Sequence, residues 1–164
     1  MNRAAQPLFL CLLLGLGAGQ AAGQASNAQA VAQAGQTATL SVNFGLRELL
    51  LNRDAPNIVR LATPWGQTSG GVGGTGHPDA KFSSYYSSVR PVGLRVRVPA
   101  GTRPGIYPAK LSAQLFTCDQ KRGLCAMRET SVAVNVQVLA AGEVRQNRPL
   151  RLTDELLASP LRFR

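Results

Sequence analysis

The chain has 164 residues, with 18 Lys or Arg against 8 Asp or Glu and a formal net charge of +10. Hydrophobic residues make up 45% of it and charged residues only 16%. This excludes an intrinsically disordered chain, and the apolar runs are too short for a bundle of membrane helices. The length fits one modest domain. Because aromatic residues are only 5%, Leu, Val and Ala must supply most of its core.

The N-terminus has the pattern of a secretory signal peptide. Arg3 supplies the positive charge, and the apolar run of residues 8–16 has the length of a signal's hydrophobic region but is too short to span a bilayer. Small side chains predict cleavage between residues 21 and 30, and we assign residues 1–25 to the signal, so that Cys11 leaves with it. We therefore expect an exported protein of the periplasm or cell envelope, with no membrane span after cleavage.

The positive charge indicates no particular partner. Removal of the signal takes away Arg3 and no acidic residue, which lowers the net charge from +10 to +9. The remaining basic residues are mostly Arg and are scattered along the chain, without the clustering or stacking aromatics that a nucleic-acid surface requires. We expect no nucleic-acid partner and interpret the charge as a solvated surface with a basic tail.

The first half of the mature chain contains several short strand patterns. Residues 26–36 are mostly Ala, Gln and Gly and predict a flexible lead-in. Residues 37–44 alternate between apolar and polar side chains, which is the period of a half-buried strand. Residues 46–51 fit either a strand or a helical turn, and residues 57–62 predict a short strand that ends before Pro64.

A glycine-rich segment follows at residues 66–78. It contains a G-x-G-x-x-G sequence at Gly71, Gly73 and Gly76, but no helix pattern follows to receive a dinucleotide pyrophosphate. We therefore predict a flexible surface loop. The chain's one histidine, His77, lies in this loop, and we interpret it as a solvent-exposed side chain rather than as the base of a hydrolytic site.

The second half contains the clearest alternation of apolar and polar side chains. The strand patterns lie at residues 94–98, 111–115 and 132–138. With turn signals between them and no long amphipathic helix, about six to eight strands predict an all-β fold, an immunoglobulin-like β-sandwich over residues 37–140. We interpret residues 141–164 as a basic tail appended to the domain, with a short helix whose N-terminus is capped by the Thr153 hydroxyl.

Two cysteines lie at the junction of the last two strand patterns. Cys118 and Cys125 are separated by six residues that include a glycine, and a hairpin there brings them close enough for a disulfide, which an exported protein permits. By the chain-entropy estimate, closing this eight-residue loop stabilises the fold by about 2.5 kcal/mol, less than a long-range bridge would. Lys121 and Arg122 favour a thiolate and Asp119 opposes it, so the sequence leaves the net electrostatic effect open.

The cysteine pair and its flanking strands resemble a known family. Residues 107–138 (YPAKLSAQLFTCDQKRGLCAMRETSVAVNVQV) hold a strand leading into a cysteine, a short loop ending in Gly-Leu-Cys, and a strand of alternating valines. Together with residues 51–56 and 98–107, this arrangement resembles the N-terminal periplasmic domain of the thiol:disulfide interchange protein DsbD and the related disulfide bond corrector domains. The resemblance covers residues 42–138. The chain departs from the family in a longer cysteine spacing and in residues 126–128 (AMR), where the family has Tyr-Pro-Pro.

The resemblance implies both a fold and an activity. It implies an immunoglobulin-like sandwich that takes electrons from a thioredoxin-like protein or a membrane thiol transporter and passes them to exported thiol proteins. By the same resemblance, Cys125 forms the mixed disulfide with a partner and Cys118 resolves it. Phe82 lies where the family has a cap loop with an aromatic residue, and is a candidate cap. No cofactor is implied.

Two other interpretations of the cysteine pair stay open. The bridge can be a static hairpin disulfide in a structural or binding domain. Alternatively, Cys118, Cys125 and Met127 can act as soft ligands for Cu(I). We expect no metal site, because this spacing is not a metal signature and oxidation of the thiols competes with metal binding.

Overall fold

In the computed structural model, which describes residues 24–158, nearly every element is a β-strand. The strands are β1 (Gln24–Gln33), β2 (Thr37–Gly45), β3 (Leu49–Leu51), β4 (Ile58–Thr63), β5 (Gly66–Gly71), β6 (Gly74–Gly76), β7 (Tyr86–Val89), β8 (Val92–Arg97), β9 (Gly105–Asp119), β10 (Leu124–Leu139) and β11 (Leu150–Thr153). A 3₁₀ helix (Ala80–Phe82) precedes β7, and α1 (Asp154–Leu157) follows β11. The all-β prediction is confirmed. The predicted signal peptide lies almost entirely outside the described residues.

The strands form two packed sheets and a small hairpin. The larger sheet has the order β1-β10-β9-β4-β5, with β3 also pairing with β9, and the smaller sheet has the order β11-β2-β8. β6 and β7 form a separate two-stranded sheet. β1 runs parallel to β10 and β11 runs parallel to β2. β9 is the organising strand, because it pairs with β10 along one edge and with both β4 and β3 along the other.

Alternation along the long strands builds the core between the two sheets. Residues 37–44 form β2 as predicted, and its alternate side chains Ala38, Leu40 and Val42 are buried, with Phe44 half-buried. The same pattern recurs in β8, β9 and β10, as the sequence predicts. The largest fully buried side chains include Leu40, Leu61, Leu94, Leu111, Leu115, Val42 and Val132. Branched aliphatic residues therefore supply most of the apolar area removed from water, which is the main stabilising contribution to the sandwich.

The predicted flexible lead-in at residues 26–36 is wrong, because most of it is strand β1. Ala28, Ala30 and Ala32 are buried, and the backbone of β1 pairs with β10. The Ala-Gln sequence alternates small apolar and polar side chains, which is a strand period. Alanine has a low strand propensity, and tertiary pairing with a valine-rich neighbour outweighs it here.

The predicted flexible loop at residues 66–78 is also wrong, because β5 and β6 lie within it. The glycines allow close approach of neighbouring backbone. A Cβ atom at Gly74 would lie 2.0 Å from the backbone oxygen of Ser88. The segment forms ladders with β4 and β7, and in the β6–β7 ladder a side chain at position 74 would force the backbone to shift.

The segment after β10 belongs to the sandwich rather than being appended to it. β11 pairs with β2, and Leu150, Leu152 and Leu157 are buried. The predicted short helix is α1, but Thr153 makes no side-chain capping hydrogen bond. Within residues 24–158, no helix has the length and apolar character needed to cross a membrane.

Candidate functional site

Cys118 and Cys125 form a disulfide across the hairpin of β9 and β10. The two residues are directly opposite each other in the antiparallel register, and their Cα atoms are 4.0 Å apart. The predicted bridge and its position near the hairpin tip are confirmed. The hairpin register continues without interruption from Asp119 to the other end of β9.

The disulfide lies on the outer face of the larger sheet. Cys118 is out of phase with Leu115, whose side chain points into the core, so its sulfur projects to the opposite side. Leu50 of β3 is opposite Cys118 on the other neighbouring strand, so that Leu50, Cys118 and Cys125 form a row across three strands. Cys118 is only 6% exposed, whereas Cys125 is exposed. Solvent therefore reaches the two cysteines very unequally.

Tyr85 provides the polar contact to the sulfur atoms. Its hydroxyl donates a hydrogen bond to the Sγ of Cys118 at 3.2 Å and lies 4.0 Å from the Sγ of Cys125. The tyrosine side chain is half-buried. The sequence alone does not single out Tyr85; the signal it offers is a pair of tyrosines, Tyr85 and Tyr86, shortly after Phe82, the candidate cap. Of the aromatic side chains there, only the tyrosines carry a hydroxyl that can donate to sulfur.

Backbone hydrogen bonds fix Tyr85 relative to the disulfide. Its N–H donates to the carbonyl of Phe82 at 2.9 Å, and its carbonyl accepts from the N–H of His77 at 2.9 Å. The segment also bridges to Asn52, which follows β3 and donates its N–H to the carbonyl of Phe116 on β9. The tyrosine is thus attached to the same sheet that carries Cys118.

Asn57 connects the strands beneath this segment. It is 5% exposed. Its side-chain amide donates to the carbonyls of Asn52 at 2.6 Å and Ala55 at 3.1 Å, and its Oδ1 accepts from the N–H of Phe116 at 2.8 Å. The side chain therefore satisfies backbone groups in the gap between β3 and β4, where, among the described residues, β9 has no strand partner on that edge.

The hairpin turn is closed independently of the disulfide. The carboxylate of Asp119 accepts hydrogen bonds from the backbone N–H groups of Lys121 and Arg122, and Gly123 at φ +65° donates its N–H to the Asp119 carbonyl. The two bonds to the carboxylate, of which that from the Arg122 N–H contributes more, lower the pKa of Asp119 below its ordinary value. Glycine suits this position because other residues rarely adopt a positive φ.

The cations of the turn are paired with carboxylates. The Nζ of Lys121 lies 2.6 Å from Glu48, and this hydrogen bond raises the pKa of Lys121 above its ordinary value. The Nε of Arg122 lies 3.6 Å from Asp119. The positive charges of Lys121 and Arg122 are therefore partly neutralised by these carboxylates, which weakens their electrostatic effect on the sulfur atoms.

The remaining sequence candidates lie around this site. Phe82 is the last residue of the 3₁₀ helix, and its ring lies 5.1 Å from the ring of His77; its role as a cap stays a prediction. His77 accepts a hydrogen bond from the N–H of Asp79. Met127 is half-buried on the same face of β10 as Cys125. Within residues 24–158, no three His, Cys, Asp or Glu side chains form a group that could hold a metal ion.

No protein-family model matches the chain, and no curated protein matches its sequence. The likeness to DsbD-type domains is thus carried by the residues quoted above and stays a prediction.

Proposed function

We propose that this domain is an exported thiol-disulfide interchange module that exchanges electrons with partner proteins through the Cys118–Cys125 disulfide. The observation that carries the proposal is the unequal exposure of the pair, with Cys125 open to solvent and Cys118 buried. Thiol-disulfide exchange requires a thiolate to reach one chosen sulfur while the other leaves. The site has this asymmetry, and it supports the roles that the family resemblance implies.

The exchange conserves atoms and electrons in two steps. A thiolate of a donor protein attacks the Sγ of Cys125, the S–S bond breaks, and its electron pair leaves with the Sγ of Cys118 as a thiolate. A second donor thiolate then attacks the donor's own sulfur in the mixed disulfide and releases Cys125 as a thiolate. The donor is oxidised to a disulfide by two electrons and the domain is reduced to a dithiol. The same steps in reverse reduce a client disulfide.

The surroundings of Cys125 favour this line of attack. An incoming thiolate must approach along the extension of the bond that it breaks, here from the side of β10 away from β9. Among the described residues, β1 pairs with β10 from Val132 onward and leaves residues 124–131 without a strand neighbour on that side. Leu124, which precedes Cys125 in β10, is 63% exposed, so this end of the hairpin also carries exposed apolar surface.

A purely structural role for the disulfide has weak support. The bridge joins residues already paired in a long antiparallel ladder, and the carboxylate of Asp119 already closes the turn. The entropic stabilisation from closing so short a loop is about 2.5 kcal/mol. The fold can therefore tolerate reduction of this bond, which an exchange module requires.

The same proposal covers partner and location. A thioredoxin-like protein or a membrane thiol transporter would supply the electrons in the periplasm or cell envelope, as the resemblance implies.

Export also constrains the position of signal cleavage, because β1 begins at Gln24 and its buried alanines begin at Ala28. Of the predicted cleavage positions, those before Gln24 keep β1 whole, and we expect the mature N-terminus there. The mass of the secreted protein tests this.

The reduction potential of the Cys118–Cys125 pair tests the function. We expect a potential distinctly less negative than about −300 mV, the region below which structural disulfides lie. The mature domain is equilibrated with glutathione or dithiothreitol buffers of known ratio, and reduced and oxidised forms are separated after alkylation. A potential below about −300 mV would instead identify a static disulfide in a structural or binding domain.

Trapping of partners provides the matched control. In Cys118→Ser, the exposed Cys125 keeps its thiol and cannot be resolved, so mixed disulfides with exported proteins should accumulate. In Cys125→Ser, the only thiol of the pair is the buried Cys118, and we expect several-fold less trapping. Equal trapping by the two variants, or none by either, contradicts the assigned roles.

A further inference from the structure

We propose that Tyr85 is a catalytic residue of this disulfide, whose hydroxyl stabilises the thiolate of Cys118 when the S–S bond breaks. The proposal rests on the function argued above, but its test uses small thiols and so does not depend on any protein partner. The deciding contact is the hydrogen bond of 3.2 Å from the Tyr85 hydroxyl to the Sγ of Cys118.

The Tyr85 hydroxyl donates to the sulfur atom that is less exposed to water. Cys125 is exposed, and water can solvate a negative charge on its sulfur. Cys118 is 6% exposed, so a thiolate there loses much of its hydration, which raises the pKa of a thiol. A hydrogen-bond donor at the leaving sulfur replaces this missing hydration. A leaving group with a lower thiol pKa departs faster, so the donor accelerates attack on Cys125.

The position of the donor is built into the fold. Tyr85 is fixed by backbone hydrogen bonds to Phe82 and His77 and by its bridge to Asn52, which joins β9 through Phe116. Cys118 lies two residues further along β9. Because donor and acceptor share this framework, little reorganisation is needed as charge develops on the sulfur, which is the condition for efficient electrostatic stabilisation.

The charged groups nearby do not substitute for the hydroxyl. The ammonium group of Lys121 is held by Glu48, and the guanidinium group of Arg122 pairs with Asp119. The side chain of Arg128, on β10, donates to the hydroxyl of Thr117 at 2.9 Å and to the carbonyl of Leu157. Among the described residues, Tyr85 is the one whose side chain donates a hydrogen bond to Cys118.

Tyr85→Phe tests the hydroxyl while keeping the ring. A hydrogen bond to a thiolate lowers its pKa, so we expect Tyr85→Phe to raise the pKa of Cys118 by about one unit, a tenfold change in acidity. In the transition state the S–S bond is about half broken, so the Cys118 sulfur carries about half of its final negative charge and about half of the pKa change affects the rate. Reduction of the disulfide by dithiothreitol should therefore slow by about threefold. The pKa is measured in a Cys125→Ser background from thiolate absorbance, and the rate in the protein with both cysteines.

Tyr86→Phe is the matched control. Its hydroxyl donates to the carbonyl of Val72 at 3.3 Å, so this substitution removes one tyrosine hydrogen bond from the same segment without touching sulfur. We expect neither the rate nor the pKa of Cys118 to change. Tryptophan fluorescence of Trp65 during urea unfolding checks that each variant is folded.

Each outcome decides the proposal. A higher Cys118 pKa together with slower reduction in Tyr85→Phe, and neither change in Tyr86→Phe, supports it. An unchanged pKa, faster reduction, or equal effects in both variants overturns it, since the hydroxyl would then be inert, a shield, or merely structural. If the reduction potential identifies a static disulfide while Tyr85→Phe still shows both effects, the interchange function is refuted but the proposed effect of Tyr85 on Cys118 is not.

Discussion

Replacement of Asn57 by Ala should destabilise the domain by about 3 kcal/mol. Asn57 is 5% exposed, and its amide satisfies the N–H of Phe116 and the carbonyls of Asn52 and Ala55. Alanine leaves one donor and two acceptors without these partners. A net hydrogen bond contributes about 1 kcal/mol, and a buried group left unsatisfied costs about 1–3 kcal/mol. Water that enters the space left by the side chain can bond to some of the three unsatisfied groups, so the expected cost is nearer to about 1 kcal/mol for each group, or about 3 kcal/mol in total.

Equilibrium unfolding in urea measures this change. The chain's one tryptophan, Trp65, has its ring 4.9 Å from that of Tyr107 and reports on loss of the sandwich. Asn27→Ala is the matched control, because Asn27 is an exposed residue of β1, and exposed substitutions usually change stability by less than about 0.5 kcal/mol. If the midpoint of Asn57→Ala equals that of Asn27→Ala at an unchanged slope, the reasoning on buried backbone groups is refuted.

Three further changes test other parts of the framework. Asp154→Ala should lower stability by about 2 kcal/mol in urea unfolding, because this carboxylate accepts hydrogen bonds from three consecutive backbone N–H groups that lead into β3; no shift would contradict that role. Gly74→Ala should open the β6–β7 ladder and speed amide exchange there, since its Cβ would meet the Ser88 oxygen, whereas Gly71→Ala meets no atom within 4 Å and should not. Because the folded-state pKa of Asp119 is lowered, its carboxylate stabilises the turn at pH values above the ordinary aspartate pKa, and that contribution is lost as the pH falls through the lowered value. Amide protection in the turn should therefore fall in acid, and Asp119→Asn should abolish this acid-dependent loss. A loss that persists in Asp119→Asn would refute this role of the carboxylate.

Strands with aliphatic alternation could be predicted from the sequence. β2, β8 and the central parts of β9 and β10 each bury every second side chain, and their period identifies them without knowledge of their partners. The disulfide could be predicted for the same reason, because two cysteines at the ends of one hairpin are brought together by local structure alone.

The elements that were missed depend on partners distant in the chain. β1 is built from alanine and glutamine, and its burial comes from pairing with β10, more than 100 residues away. β11 pairs with β2 over a similar separation. Glycine is frequent in β5 and β6 and has no side chain to display a period. At Gly74 of β6 the pairing instead brings the Ser88 backbone close.

The contact between Tyr85 and Cys118 shows the same division within one site. The partner of Cys118 in the disulfide is seven residues away, whereas its hydrogen-bond donor is 33 residues away. A hairpin pattern specifies the first separation. The second depends on how Asn57 holds the loop before β4 and on where the bridge from Asn52 places the tyrosine. Because that bridge attaches the tyrosine to β9, the strand that also carries Cys118, changes in this loop should alter the acidity of Cys118. The hairpin should still be able to form its disulfide.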